Sequence, residues 1–310
     1  MKKLFVVCCL LFSSYIFSQD LLSMVDSVQP QTKTHDKVFA TFKALKLINA
    51  QTIETTKKNH LDFRIAHRFG DIATNGAGHT LYGWDAIADV RFSFDFGITD
   101  KIMIGAARNK RNENIDGTFK WRFLEQTSDD HVPLSVALYE NAAFTPMDKT
   151  AFYSGTIGVK VNTMHRLSYT SQVIIARKFN RAFSFELLPT YQHRNFVKAF
   201  INPGNGAEEM NDLFALGAAV RIKLNNRFAI VADYFYNFSH FRMNNTPYPY
   251  YNVFAIGFEW DTGGHIFHID FSNAPGIIEN DFLVSNPSAW SKGAFKFGFN
   301  ISRVFSLKKK

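Results

Sequence analysis

The chain has 310 residues, 35 Lys and Arg against 27 Asp and Glu, a formal net charge of +8, and 33 Phe, 11 Tyr and 4 Trp. A basic excess is compatible with nucleic acid, but an export signal at the amino terminus excludes that partner and points instead to anionic lipid headgroups. Both cysteines, Cys8 and Cys9, lie inside that signal, so the exported chain has no disulfide, no thiolate metal site and no cysteine nucleophile.

The signal itself is Met1-Lys2-Lys3 followed by a mostly apolar run over 4–17. It is too short for a spanning helix, which needs about 20 apolar residues. Ser18 is the small residue best placed for cleavage, so 1–18 reads as a removed signal peptide. Val6 and Val7 precede the cysteine pair near the start of the apolar run, which argues against lipidation. Residues 19–59 form an arm. Its first part, 20–34, is polar and aperiodic, and 38–55 (VFATFKALKLINAQTIET) has a mixed pattern.

Clear strands begin at His60. Leu61, Phe63, Ile65 and Phe69 alternate with Asp62, Arg64, Ala66 and Arg68. Val90, Phe92, Phe94 and Phe96 alternate with Asp89, Arg91, Ser93 and Asp95, and Phe119, Trp121 and Phe123 with Lys120 and Arg122. Phe183, Phe185 and Leu187 alternate with Ser184 and Glu186, and Phe295, Phe297, Phe299 and Ile301 with Lys296, Gly298, Asn300 and Ser302. Period two gives each strand one aromatic face and one charged or small face.

A soluble sandwich and a membrane barrel share that alternation and differ in which face looks inward. Strands of about ten residues suit a tilted crossing of the hydrocarbon. Charges of both signs suit a lumen. Short turns at 97–101, 127–131, 179–181, 225–227 and 261–265 alternate with longer links at 70–84, 109–115, 145–165, 196–210, 241–250 and 274–291. Short turns face the periplasm and long loops the outside in outer-membrane barrels. The fold class is therefore all-β: a transmembrane antiparallel up-and-down β-barrel of about twelve strands over 60–305, with a basic tail at 306–310. An even count keeps both ends of the barrel on the periplasmic side, which makes 38–55 a periplasmic or lumenal arm. Closing the last strand on Phe305 suits an outer-membrane insertion machinery.

Several of these segments together resemble a family of uncharacterised membrane β-barrel proteins of Gram-negative bacteria. They are ATFK (40–43), LINAQTIET (47–55), AHRFGDI (66–72), FGITDKIMIG (96–105), DGTFKWRFLEQ (116–126), GGHIFHIDFSN (263–273) and GFNISRVF (298–305). The resemblance implies an outer-membrane barrel and carries no catalytic or binding residue with it.

The candidate site is the lumen lining. Asp62, Arg64, Arg68, Asp89, Arg91, Asp95, Lys120, Arg122, Glu186, Arg221, Asp233, Glu259, Asp270 and Lys296 are expected to point inward, with His268 beside them. They read as a selective pore lining or as a neutralised filling. The set balances acids against bases, which favours mutual pairing of the wall. Small inward residues (Ala215, Gly217 and Ala219; Val253, Ala255 and Gly257) leave space on the opposite wall for water or for the arm.

His67 reads as a rim ligand or as part of a hydrogen-bond network. His268, Asp270 and Ser272 share a face, but neighbours on one strand face lie about 7 Å apart, too spread for a triad by themselves. No cluster has metal-ligand spacing, 202–206 (NPGNG) is a turn without the following Lys-Ser/Thr of a phosphate loop, and no cofactor is expected. The aromatic segment 244–251 (NNTPYPYY) could contact a sugar or a partner, or belong to an interfacial girdle. The expected function is passive or gated passage of small solutes, with outer-membrane lipid as surroundings and no catalysis. The alternatives are a non-conducting scaffold with a filled lumen and an outer-membrane hydrolase.

Overall fold

A computed structural model describes residues 35–307 except 155, 157 and 161. The expected signal peptide with Cys8 and Cys9, the start of the arm over 19–34 and the lysines at 308–310 lie outside the described residues. The strands are β1 (His60–Asp71), β2 (Ile87–Gly97), β3 (Ile102–Asn109), β4 (Ile115–Leu124), β5 (Ser135–Phe144), β6 (Leu167–Lys178), β7 (Phe183–Arg194), β8 (Asp212–Lys223), β9 (Phe228–Asn237), β10 (Val253–Asp261), β11 (Ile266–Ser272) and β12 (Lys296–Ser306). Each pairs antiparallel with the next, and β12 closes on β1 with Leu61 opposite Phe305 and Arg68 opposite Gly298. This is the twelve-stranded up-and-down barrel that the alternation predicts, and closure leaves no sheet edge.

Up-and-down pairing brings the tight turns to one end, and their side chains fix them locally. Asn180 Oδ1 accepts from the backbone N–H groups of Ala182 and Phe183, and Asn225 Oδ1 from those of Arg227 and Phe228. Thr99 Oγ1 accepts from Lys101 and Ile102 in the same way. Such side-chain-to-backbone bonds replace a ladder over a few residues. Long links gather at the other end, at 72–86, 145–166, 195–211, 238–252 and 273–295. β12 begins at Lys296, later than the expected 292, because Trp290–Lys292 forms a 3-10 turn that ends on Gly293 at φ 72°.

The aromatic face looks outward. Phe92, Phe94, Phe119, Trp121, Phe258, Trp260 and Ile269 are all exposed, while Arg64, Asp89, Arg91, Lys120 and Glu186 on the alternate faces are buried. An apolar exterior around a charged interior is inverted relative to a soluble protein and fits lipid as the surrounding solvent.

Two irregular segments fill the interior. Residues 37–58 enter and leave at the short-turn end: Lys37 bridges to Thr127, and Lys58 to Gly97. Between these anchors the chain makes a tight reversal, with Leu47 N–H donating to Ala50 O and Thr52 N–H to Leu45 O. Phe42, Leu47, Ile48, Ala50 and Ile53 are buried in one cluster with Ala137, Tyr139, Ile174 and Leu188 of β5–β7 and Ala215, Ala219, Val231, Val253 and Ala255 of β8–β10. The space above those small residues is thus occupied by polypeptide. From the long-loop end the link 273–295, expected as an outer loop, folds inward instead. Its Ile277, Ile278, Phe282 and Leu283 are buried, with Phe282 packed on Phe235 at 5.1 Å between ring centroids.

Glycines make room at two contacts. A Cβ at Gly217 would lie 2.5 Å from the Phe235 ring, and one at Gly97 would lie 2.1 Å from the Lys57 carbonyl oxygen. Gly97→Val should therefore push the segment off its anchor while the ladder survives. The expected result is faster tryptic cleavage after the buried Lys46, with the heat-sensitive gel mobility of a folded barrel retained. Unchanged cleavage would show that the Gly97 contact does not hold the segment.

Candidate functional site

Of the expected lining residues, Asp95 and Arg122 are half-buried, and Asp62, Arg64, Arg68, Asp89, Arg91, Lys120, Glu186, Arg221, Asp233, Glu259, His268, Asp270 and Lys296 are buried. Their partners divide into two sets. Some are on the wall: Arg91 forks onto Asp116 at 2.6 and 2.7 Å and also reaches Asn109, and Arg221 pairs with Glu259 at 2.7 Å. Lys296 pairs with Asp71 at 2.6 Å. Arg64, Arg68, Asp89, Lys120, Glu186 and Asp233 instead hold the two inserted segments. Lys120 Nζ donates to the carbonyl oxygens of Thr52 (2.9 Å), Leu45 (3.2 Å) and Glu54 (3.3 Å). Asp233 accepts from the Asn49 N–H (2.7 Å), the Ala50 N–H (3.1 Å) and Asn49 Nδ2 (2.9 Å). Glu186 accepts from the Ile53 N–H at 3.3 Å, and Arg64 donates to Lys46 O at 2.7 Å. Balanced composition therefore does not mean mutual pairing of the wall, because much of its charge caps inserted backbone.

Arg68 joins both segments. Its guanidinium donates to Asn49 Oδ1 (3.0 Å), Ala274 O (3.1 Å) and Gly276 O (2.9 Å), with Asp270 at 3.9 Å. Lys46 completes the junction by donating to Ile277 O (2.9 Å) and Glu279 (3.3 Å), and Asp89 accepts from the Ile277 N–H at 3.1 Å.

His268, Asp270 and Ser272 do not converge. His268 Nε2 meets Glu259 at 3.3 Å, while Ser272 Oγ accepts from Asn49 Nδ2 and the Ala274 N–H. His67 lies on the outer face, where it stacks on Phe299 at 5.4 Å and packs on Phe69 at 4.2 Å, so it joins neither a lumenal network nor a ligand set. No group of His, Cys, Asp and Glu among the described residues could hold a metal ion.

Cavities remain at the two ends. At the long-loop end, about 610 Å³ is bounded by Phe152, Arg166, Phe196, Phe200, Tyr248, Tyr250 and the inserted helical turn Glu279–Phe282. At the short-turn end, about 540 Å³ is bounded by 37–41, 53–58, Asp100 and Arg122. The void beside Leu45, Lys46, Ile48 and Gln51, between them, measures about 30 Å³.

Sequence reasoning missed Lys46, Asn49, Glu279 and Asp281. The signal was present in 277–284 (IIENDFLV), an apolar run with buried acids in a stretch expected to be a solvated loop.

A closed barrel with a charged interior and an aromatic exterior is a membrane-spanning barrel. The chain belongs to the family described as the membrane bound beta barrel domain (DUF5777), which matches residues 42–305. No curated protein matches the sequence. Among solved structures, the chain is similar to the NanC porin in a rhombohedral crystal form, at 12% identity and a TM-score of 0.46 over 80% of this chain and 100% of that one. It is also similar to the KdgM porin in complex with disordered oligogalacturonate, at 6% identity and a TM-score of 0.45 over 79% and 99%. The COG4313 outer membrane channel from Pseudomonas putida F1 gives 10% identity and a TM-score of 0.42 over 82% and 98%. Likeness this distant says nothing of what this barrel binds or passes.

Asp281 sits outside the spanning strands. Burial first, and then the nearby Asp89 carboxylate, push its carboxyl up to about 7, against the Asn112 and Asn114 amides and the Arg111 charge that favour ionisation. A raised carboxyl binds a proton in the folded chain that the unfolded chain has already lost, so its contribution to stability falls as pH rises from about 4 to about 7. Asp281→Asn removes that dependence. The wild type should lose more melting temperature between pH 5 and pH 8 than the variant, and equal losses would show that Asp281 does not titrate in this window.

Proposed function

We propose that this protein is an outer-membrane barrel for gated passage of small solutes, closed in the conformation described by its own arm and its last long loop. The observation that carries this reading is the mode of attachment. Much of the wall's buried charge is bonded to inserted backbone, and hydrogen bonds of that kind exchange with water when the insert leaves. Charged walls are unfavourable in a permanently dry interior, whereas a hydrated lumen suits them. The short turns then face the periplasm and the long loops the exterior. Lipid surrounds the aromatic belt, insertion machinery delivers the barrel, and neither nucleic acid nor catalysis has a part. The buried, dispersed positions of His268, Asp270 and Ser272 give a hydrolase no support.

A second reading has one observation in its favour. Phe42, Leu47, Ile48 and Ile53 bury apolar surface inside the barrel, as a permanent filling would. Conductance separates the two. Asn49 Nδ2 lies 3.2 Å from Ser272 Oγ, and the chain without 1–18 has no cysteine of its own, so Asn49→Cys with Ser272→Cys, once its disulfide is verified by mass spectrometry, serves as a lock. In a planar bilayer the reduced double variant should give discrete current steps, and oxidation should silence them reversibly.

Asp233→Ala removes three hydrogen bonds to the arm. A loss of only ~1.4 kcal/mol in docking raises the open fraction about tenfold. Silence of both the reduced lock and Asp233→Ala would overturn gated passage and leave the non-conducting scaffold.

A further inference from the structure

The cavity at the long-loop end has a chemistry that the gating reading does not use. Its volume of about 610 Å³ lies in the range of pockets that enclose small ligands. Two kinds of surface meet in it. One is aromatic: Phe200 and Tyr248 stack at 4.3 Å with 23° between their planes, and Phe152, Phe196 and Tyr250 complete the lining. Tyr248 is 43% exposed, so its ring is available to a ligand.

The other surface is an excess of acceptors. Asn280 and Asp281 are 7% and 3% exposed, and Asn280 Oδ1 and Asp281 Oδ2 have no hydrogen-bond partner. Buried polar atoms left unpaired in a native protein call for an explanation, and a ligand that donates hydrogen bonds is one.

The charges select among ligands. Arg166 is engaged by the carbonyl oxygens of Thr145 and Met147, and Arg194 and Arg242 share Glu209. Lys198 donates to Ser154. These bonds engage the four cationic heads, and the buried Arg194 Nε is the donor among them that has no hydrogen-bond partner. Four cations against Glu209 and Asp281 disfavour an ammonium ligand. What fits is a neutral molecule with apolar faces for the rings and hydroxyls for the acceptors.

We propose that this cavity binds a short neutral oligosaccharide, stacked on Phe200 and Tyr248 and donating hydroxyl hydrogen bonds to Asn280 and Asp281. The proposal stands whether or not the lumen conducts.

The test is isothermal titration calorimetry of the refolded chain in an amine-oxide detergent, which carries no sugar headgroup. The probes are maltotriose, cellotriose, laminaritriose, mannotriose and xylotriose, with trigalacturonate and the chitosan trisaccharide as charged counterparts. At least one neutral trisaccharide should bind with Kd below roughly 1 mM. Tyr248→Ala and Asp281→Ala should each weaken it about tenfold. Tyr248 is the safer variant because its side chain is exposed, and heat-sensitive mobility checks folding of both. Absence of heat with every neutral probe at about tenfold that concentration would overturn the proposal. So would binding that both substitutions leave unchanged, or binding confined to the charged sugars.

Discussion

Irregular backbone inside a barrel must find a partner for each N–H and C=O group without a sheet ladder, and this requirement organises the interior. Residues 37–58 satisfy part of it themselves, through Leu47 to Ala50, Thr52 to Leu45, and the Thr52 hydroxyl to Ala44 O. The wall supplies much of the rest. Lys120 serves three carbonyl oxygens, and Asp233 receives two backbone N–H groups. An unsatisfied buried group costs about 1–3 kcal/mol. Each such wall charge and the backbone it caps therefore stabilise one another, and neither is at rest in a dry interior without the other.

The exterior of this fold was legible from sequence because its causes are local and repetitive. Phe92, Phe94 and Phe96 fall on one face by the pleat alone, and Asn180, Asn225 and Thr99 close their turns with bonds spanning two or three residues. The interior was less legible. A charged inward face has the same pattern whether it meets water or polypeptide, and the difference lies in contacts such as Lys120 to Thr52 or Asp233 to Asn49, across 68 and 184 positions. Counting acids against bases could not find those partners, because the groups Lys120 and Asp233 serve are mostly backbone atoms, which every residue carries, and otherwise the neutral Asn49 amide. Only 277–284 betrayed itself, by being too apolar for the solvated loop its place between β11 and β12 suggested.

Charged groups grip both inserts. Lys120, Asp233 and Glu186 hold the arm, while Arg68, Asp89, Arg242 and Lys296 hold the loop, with the Asn237 amide donating to Leu283 O beside them. Arg68 and Lys46 connect the halves, since each contacts both the arm and the loop or belongs to one and grips the other. Departure of the arm would strip Arg68 of Asn49 and deprive the loop of Lys46, which makes the two inserts one cooperative element.

That cooperativity fixes the sign of any effect a ligand in the long-loop cavity could have. A ligand shifts a two-state equilibrium only by its differential affinity for the two states. In the long-loop cavity a bound molecule would touch Tyr248 and Phe200 on neighbouring links and Asn280 and Asp281 on the inserted loop. Those two sets of contacts coexist only while the loop is in place. A ligand that uses both therefore favours the closed arrangement, and through Lys46 and Arg68 it also favours a docked arm. Opening from the long-loop end would require a molecule that binds the Tyr248 side alone and displaces Asn280 and Asp281, whereas loss of the Asp233 and Lys120 contacts frees the arm from the other end of the barrel.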